Sequence, residues 1–219
     1  MARPKTRDEA ASTDVRADEL LDETSLAAAK IDGAQLGGLD VRNLSVAQSR
    51  LVKVNFAESR LPRFNLTDVE LADCNLSNVK VPDAALRRVV FSDSKLTGID
   101  FTGASLGDVE FANCIVDFSL FDRVSLKLVT FRKCQMREAD FSDTTLDRVH
   151  FIECDLTKAS FDRVRTVGSE MRGCTMTGLR GLGQLNGIAM DWGDILGHAD
   201  LFAAALGISI AGGATEEGD

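Results

Sequence analysis

The sequence predicts an all-β solenoid from about Leu26 to Met176, followed by a short C-terminal element. Three observations indicate this fold. An apolar side chain recurs at every fifth residue, a small or apolar side chain stands two residues before each of these, and the other positions are mostly polar. Neither the 3.6-residue period of a helix nor the two-residue period of a strand produces such a repeat.

The five-residue register covers 31 positions from Leu26 to Met176, and 30 of them are apolar, Thr166 being the exception. Because only 44% of the chain is hydrophobic, this run is not chance. We expect these side chains, and those two residues before them such as Val54, to point inward. The centre of the predicted core ladder is Phe91, Phe101, Phe111, Phe121, Phe131, Phe141, Phe151 and Phe161.

These pentads resemble the pentapeptide-repeat family, whose pattern is A(D/N)LXX; local instances are Ala34–Leu36, Ala104–Leu106 and Ala139–Phe141. The resemblance covers about 150 of the 219 residues. It implies a right-handed quadrilateral parallel β-helix in which four pentads make one coil and residues 20 apart stack. The cysteine spacing supports this stacking independently, since 20 residues separate each of Cys114, Cys134, Cys154 and Cys174 from the next.

These patterns divide the chain into three segments. Residues 1–25 carry many charges and few apolar groups, which predicts a largely disordered N-terminal tail in which Val15 to Asp22 could form a short helix. Residues 26–180 form the solenoid. Residues 181–219 form a helical cap or dimerisation element and a tail, because the period breaks after Met176 among several glycines.

Apolar residues at helical spacings in this C-terminal element predict a helix, which Gly207 would end. Gly193 and Gly197 favour two short helices as the alternative. An end cap or a homodimer interface would both use such an apolar face. The candidate dimerisation residues are Trp192, Ile195, Leu196, Phe202 and Leu206.

The composition argues against several classes of protein. A net charge of −9 disfavours direct nucleic-acid binding, which requires clustered Lys and Arg. No stretch approaches the 18 apolar residues of a membrane span, and Met1 to Arg7 is followed by acidic residues rather than an apolar segment, so we expect a cytoplasmic protein without a membrane partner. Five cysteines without paired ligand spacing argue against a disulfide framework and a zinc site.

No arrangement of residues in the sequence suggests catalysis. The chain has two histidines, His150 at an outward repeat position and His198 in the C-terminal element, and neither accompanies a nucleophile at a useful spacing. No glycine-rich phosphate loop is present. We therefore expect no enzyme activity, no cofactor and no metal.

Charge is unevenly distributed over one predicted side of the coil, which we call face 1 and which is centred on Val41, Leu61, Val81, Phe101, Phe121, Phe141 and Phe161. Its N-terminal half has a net charge of +3, from Arg42, Arg60, Arg63 and Lys80 against Asp40. Its C-terminal half has a net charge of −4, from Asp83, Asp100, Asp122, Asp140, Asp143 and Asp162 against Arg123 and Arg163.

Next to this acidic half, Ile115, Phe118 and Leu120 occupy outward positions close to Asp117. Exposed apolar groups in a cluster suggest a contact site. The alternative is a local register adjustment that turns Phe118 inward. The candidate partner-binding residues are thus the six aspartates of the acidic half of face 1, together with Asp117 and Phe118.

The family resemblance extends to Qnr-type and mycobacterial quinolone-resistance proteins, which are DNA mimics. It implies a non-enzymatic protein that binds a type II topoisomerase, DNA gyrase, as a homodimer and inhibits it or protects it from a drug. The unbroken register lacks the loops of some Qnr-type proteins and is similar to the loop-free mycobacterial type. The alternative is a scaffold that binds another protein partner through Phe118 and its neighbours, which the net charge of −1 over residues 26–176 favours.

Overall fold

The computed structural model describes residues 4–6 and 15–210. Its regular structure is a 12-stranded parallel sheet wound into a solenoid, with short helices at both ends. The strands are β1 (Ser25–Ala27), β2 (Lys30–Asp32), β3 (Ser45–Val52), β4 (Asn65–Ala72), β5 (Ala85–Ser92), β6 (Ser105–Ala112), β7 (Ser125–Arg132), β8 (Thr145–Asp147), β9 (His150–Ile152), β10 (Arg165–Val167), β11 (Glu170–Arg172) and β12 (Ala189–Met190).

From β1 to β11 every strand pairs in parallel with a strand 20 residues away, as Leu66 does with Leu86. These strands form two sides of each coil, and bridges such as Asn55 to Asn75 and Arg60 to Lys80 form the other two. The pairing runs from Ser25 to Arg180 with no inserted loop. The predicted four-sided parallel solenoid is therefore confirmed, with about eight coils.

The four sides follow one another along the chain. Face 1 keeps its definition above, face 2 is centred on the Val46 and Leu66 column, face 3 on the Leu51 and Leu71 column, and face 4 on the Leu36 and Phe56 column. Faces 1 and 3 are opposite each other, because each coil visits the four sides in turn.

Each corner places one residue per pentad in the left-handed region, as at Asn78 (φ 56°) and Asp83 (φ 57°). Glycine, asparagine and aspartate tolerate this conformation best, which explains the short polar residues and glycines at many corners. Among the described residues, Phe118 (φ 58°) and Leu128 (φ 56°) are the large apolar side chains held in this conformation.

The centre of the core consists of two phenylalanine columns, one from face 1 and one from face 3. Phe121 and Phe141 stack with ring centroids 4.7 Å apart, and Phe111 and Phe131 stack at 4.8 Å. The columns meet edge to face, as between Phe121 and Phe131 at 5.8 Å. Both arrangements are favourable for aromatic quadrupoles. All eight phenylalanines of the core ladder are buried in these columns.

The cysteine column lies inside the corners and is buried. The Cys134 thiol donates to the carbonyl oxygens of Phe111 and Arg132, both at 3.4 Å. The hydroxyl of Ser94, in the same column, donates to the carbonyl of Ser92 at 2.8 Å. Cysteine and serine therefore serve the same purpose here, since each is small and can donate to a corner carbonyl. Burial raises the pKa of the Cys74 thiol to about 11, so that thiol is neutral and unreactive at neutral pH.

The described part of the N-terminal segment covers the open end of the core. Val15 and Leu20 are buried there, on either side of a 3₁₀ helix over Ala17–Glu19. Residues 15–24 are thus an ordered cap and not part of a disordered tail, and the helix considered for Val15 to Asp22 is a single turn. The rest of the predicted tail, residues 1–3 and 7–14, lies outside the described residues.

At the other end, a 3₁₀ helix (Leu182–Gln184) and β12 precede two short helices, α1 (Trp192–Gly197) and α2 (Ala199–Ala205). The continuous helix predicted for this element is wrong and the two-helix alternative is correct, because His198 has a non-helical backbone between them. Within the described ranges, no helix has the length and apolar character that crossing a membrane requires.

Side chains from α1 and its end complete the hydrogen bonding of the last coil. The backbone N–H of Gly173 donates to the Asp194 carboxylate at 2.8 Å, and that of Met176 donates to Nε2 of His198 at 3.3 Å. In the solenoid, such N–H groups pair with the following coil, as Phe56 does with Asn75. The cap therefore closes an edge that would otherwise expose unpaired donors.

Replacing Phe121 by alanine removes a ring that stacks on both Phe101 and Phe141. We expect the free energy of unfolding to fall by about 3–5 kcal/mol, because the narrow core cannot collapse around the cavity. Urea denaturation followed by circular dichroism measures this. Phe118→Ala, at an exposed corner, is the control and should change stability by no more than about 0.5 kcal/mol. Equal losses for the two variants would contradict the assignment of the columns.

Candidate partner-binding surface

Folding aligns the carboxylates of the acidic half of face 1 along five successive coils. Asp83 lies on the first of these coils, Asp100 on the second, Asp122 on the third, Asp140 and Asp143 on the fourth, and Asp162 on the fifth. Each side chain is exposed or half-exposed. Asp100 and Asp140 share one column, Asp122 and Asp162 a second, and Asp83 and Asp143 a third. With coils about 4.8 Å apart, they form a band of negative charge along the solenoid axis, which we call the acidic row.

Two of these carboxylates also accept a backbone hydrogen bond. The Asp100 carboxylate accepts the backbone N–H of Thr102 at 2.9 Å, and Asp140 accepts that of Ser142 at 2.9 Å. The amide oxygens of Asn55 and Asn75 accept the N–H two residues later in the same way, both at 3.1 Å. Asp and Asn thus make the same hydrogen bond at this position, and the choice of Asp adds charge without changing that bond.

Two of the carboxylates are paired with arginines. Asp143 binds the Arg163 guanidinium in a bidentate pair at 2.8 and 2.7 Å, which holds the pKa of Asp143 below its usual range. Asp122 lies 3.1 Å from the Arg123 guanidinium. These exposed pairs add little stability but reduce the charge presented to a partner. In the part of the chain that the structure describes, no ion pair involves Asp83, Asp100, Asp140 or Asp162.

The resulting charge density is well below that of DNA. Four unpaired carboxylates over five coils give less than one charge per coil, and a coil advances about 4.8 Å. Duplex DNA carries one charge per about 1.7 Å of axis. Charge alone therefore does not make this face equivalent to DNA, and a partner must also recognise shape or apolar groups.

Asp117 was predicted to contact a partner, and this prediction is wrong. Only 3% of Asp117 is exposed. Its carboxylate accepts the backbone N–H of Arg137 at 2.8 Å and Nε of the same residue at 3.1 Å. Arg137 occupies the equivalent position on the next coil, so its side chain folds over Asp117 and closes it off from solvent.

Sequence reasoning missed the role of Arg137, although a signal for it exists. Opposite charges spaced by 20 residues lie directly above one another in this fold. The pairs Asp68–Arg88 and Asp143–Arg163 have the same spacing, and in each of these two pairs Nε and Nη2 of the arginine bind different carboxylate oxygens. A search for Asp followed 20 residues later by Arg would have identified all three pairs.

Phe118 is exposed, and the alternative of a register adjustment is wrong. Its side chain retains 54% of its accessible surface, and Ile115 and Leu120 are also exposed. The central residues on both sides of this corner, Val116 and Phe121, remain fully buried. The register is therefore unperturbed, and the three apolar side chains stand outside the core.

The candidate dimerisation residues divide into two groups. Trp192, Leu196 and Leu206 are exposed, whereas Ile195 and Phe202 are half-buried. Ile208 and Ile210, which are not among the candidate dimerisation residues, enlarge the exposed apolar surface. Other side chains anchor the element to the core: Leu185 is buried in it, and Leu182, Ile188, Met190 and Leu201 pack against it.

No metal site is formed by the described residues, since none of their His, Cys, Asp and Glu side chains come together in groups of three or more that could hold an ion.

A family model and several solved structures match this chain. Residues 64–141 and 104–180 match the model of the pentapeptide repeat region, and together they span more than half of the 219 residues. The structure is similar to a trypsin-treated variant of QnrB1, a plasmid-mediated fluoroquinolone resistance protein, at 17% identity and a TM-score of 0.52, covering 86% of this chain and 98% of that one. No curated protein sequence matches.

A further similar structure is HetL, a pentapeptide repeat protein involved in heterocyst differentiation regulation from the cyanobacterium Nostoc. Its sequence identity is 18% and its TM-score is 0.38, with 77% of this chain and 90% of that chain covered. At these identities the similarity to QnrB1 establishes the fold, and the function has to be argued from the surface of this chain.

Arg137→Ala would leave the Asp117 carboxylate buried with only a backbone N–H as its partner. We expect the thermal midpoint to fall by a few degrees, because a buried charge loses its counterion. Arg163→Ala removes the exposed partner of Asp143 and is the matched control, for which we expect little change. Differential scanning calorimetry measures both, and a fall no larger for Arg137→Ala than for the control would show that Asp117 is not structural.

Proposed function

The chain belongs to the pentapeptide-repeat family, and from that premise we propose that it is a non-enzymatic cytoplasmic protein that binds a type II topoisomerase, DNA gyrase. Binding would inhibit the enzyme or protect it from a drug. The observation that carries the proposal is the acidic row of exposed and half-exposed carboxylates on face 1, which lies on a rod of about eight coils. The similarity to a fluoroquinolone resistance protein supports the same reading.

The row suits a basic surface that normally holds DNA. Asp100, Asp140 and Asp162 project from backbone that parallel pairing holds in place, so little conformational entropy is lost when they are bound. Complementary charge steers association and aligns the partners. The basic N-terminal half of face 1, with Arg42 and Arg63 exposed, would be repelled by the same surface and so fixes the direction of binding.

We propose that the chain acts as a homodimer through its C-terminal element. Trp192, Leu196 and Leu206 are exposed on α1 and at the end of α2, and Ile208 and Ile210 follow them. A second copy of the same element would bury this apolar surface, as symmetric homodimer interfaces do. Each acidic half of face 1 is the half nearer this end, so a dimer would bring two acidic rows to the centre of a longer rod.

A second candidate function is a scaffold for a different protein partner. The specific observation in its favour is the low density of unpaired charge on face 1, where Arg123 and Arg163 neutralise two of the six aspartates. A partner without a DNA-binding surface would need fewer carboxylates and more apolar contact. Capture of the partner from a lysate by the folded protein would identify it if gyrase does not bind.

The charge requirement is tested with Asp100→Asn plus Asp140→Asn. Asparagine keeps the acceptor for the backbone N–H, as Asn55 and Asn75 do, so the variant loses charge without losing the corner. We expect the concentration needed to affect gyrase supercoiling, with or without a fluoroquinolone, to rise about tenfold.

The control for this variant is Asp73→Asn plus Asp93→Asn, which removes the same number of charges from exposed corners between faces 3 and 4. It should act as the wild type does. Equal effects of the two double variants would show that total charge and not face 1 is responsible. Absence of any effect of the wild-type protein on gyrase would refute the proposed function.

The dimer is tested with Leu196→Asp plus Leu206→Asp. Both side chains are exposed in one copy, so the variant should fold normally while carboxylates at a buried interface oppose association. Light scattering after size exclusion should give twice the monomer mass for the wild type and the monomer mass for the variant. Leu21→Asp, at an exposed site at the N-terminal end, is the control. A monomeric wild type at micromolar concentration would exclude the dimer.

A further inference from the structure

On one coil, the corner between faces 4 and 1 carries exposed apolar side chains, whereas the same corner on the other coils is polar or glycine. We call it the apolar corner, and it consists of Ile115, Phe118 and Leu120. Between residues 35 and 180 each of these is the one large apolar residue in its outward column; the others in the Phe118 column are Gly38, Glu58, Asn78, Gly98, Glu138, Lys158 and Gly178. All three apolar residues fall on the same coil, which indicates that they function together.

Nothing in the fold requires Phe118 to be aromatic. Its backbone is left-handed (φ 58°), a conformation that glycine and asparagine adopt more easily. Its column carries those residues at Gly98 and Asn78. The ring also remains half in water. Phe118 is thus unfavourable for the isolated protein both by conformation and by exposure, which is characteristic of a residue retained for binding.

The corner that carries the ring is rigid. The N–H of Phe118 donates to the carbonyl of Arg137 at 2.9 Å, and the carbonyl of Asp117 accepts the N–H of Gly98 at 2.8 Å. The Asp117 carboxylate below is fixed by Arg137. An aromatic side chain with two rotatable bonds on a fixed backbone loses little entropy on insertion into a pocket, which is why such residues dominate binding energy at interfaces.

Acidic groups border the apolar corner on its face 1 side. In the parallel pairing, Leu120 lies directly between Asp100 and Asp140, the two carboxylates whose oxygens serve a backbone N–H and which form no described ion pair. On the face 4 side, Ile115 lies between Lys95 and Gln135. The apolar group is therefore flanked by negative charge on the face that we propose as the binding surface.

We propose that Phe118, supported by Ile115 and Leu120, inserts into an apolar socket on the partner whose rim carries Lys or Arg side chains that pair with Asp100 and Asp140. This inference rests on the proposed function, since the socket would lie on the basic DNA-binding surface of the topoisomerase. The apolar contact would add binding free energy that the carboxylates of face 1 cannot provide alone, because they carry much less charge than DNA. Because an apolar contact is not screened by ions, part of the affinity should not change with salt concentration.

The test compares Phe118→Asn with Leu128→Asn. Asparagine suits the left-handed corner at both sites, so each variant should be at least as stable as the wild type. Leu128 is likewise a large, exposed apolar side chain at a left-handed corner (φ 56°), but between faces 2 and 3. Binding to purified DNA gyrase holoenzyme is measured by biolayer interferometry at several salt concentrations.

We expect Phe118→Asn to raise Kd at least about tenfold at every salt concentration and leave the salt slope unchanged. Leu128→Asn should bind as the wild type does, and Asp100→Asn plus Asp140→Asn should reduce the salt slope. Wild-type affinity for Phe118→Asn, or an equal loss for Leu128→Asn, overturns the anchor while the proposed function stands. If the wild type does not bind gyrase, both are refuted.

Discussion

The parallel backbone hydrogen bonding between coils, with its offset of 20 residues, is the constraint on which the rest of the structure depends. Because Leu66 pairs with Leu86 and every other central residue follows the same rule, position in the pentad decides which side chains face inward. The same rule places like residues above one another, which produces the two phenylalanine columns and the cysteine column. Stability comes from repeating these contacts between neighbouring coils.

The offset also organises the outer surface. It places Asp117 under Arg137 and Asp143 under Arg163, so that some carboxylates are neutralised by the next coil. It leaves Asp100 and Asp140 as acceptors for backbone N–H groups, with their charge free to act outward. A carboxylate that accepts a backbone hydrogen bond can therefore still present its charge to solvent.

At the two ends of the solenoid there is no further coil to pair with, and other contacts replace the hydrogen bonding between coils. Val15 and Leu20 cover the first coil, while Asp194 and His198 accept N–H groups of the last one. Polar side chains of the C-terminal element accept these N–H groups and some of its apolar side chains pack on the core, whereas Trp192 and Leu206 stay on the surface. One short segment thus ends the solenoid and also carries exposed apolar residues.

The sequence by itself determined the solenoid and its inward columns, because a strict period decides which side of the backbone each residue faces. It left open whether Phe118 is exposed or turned inward, and only the three-dimensional structure decided this. It could not show that Asp117 is buried, since that depends on the side chain of Arg137 on the next coil. It did not decide between one C-terminal helix and two, or reveal the cap formed by Val15 and Leu20. These features lie outside the repeat or arise between coils, where three-dimensional contact and not periodicity decides the outcome.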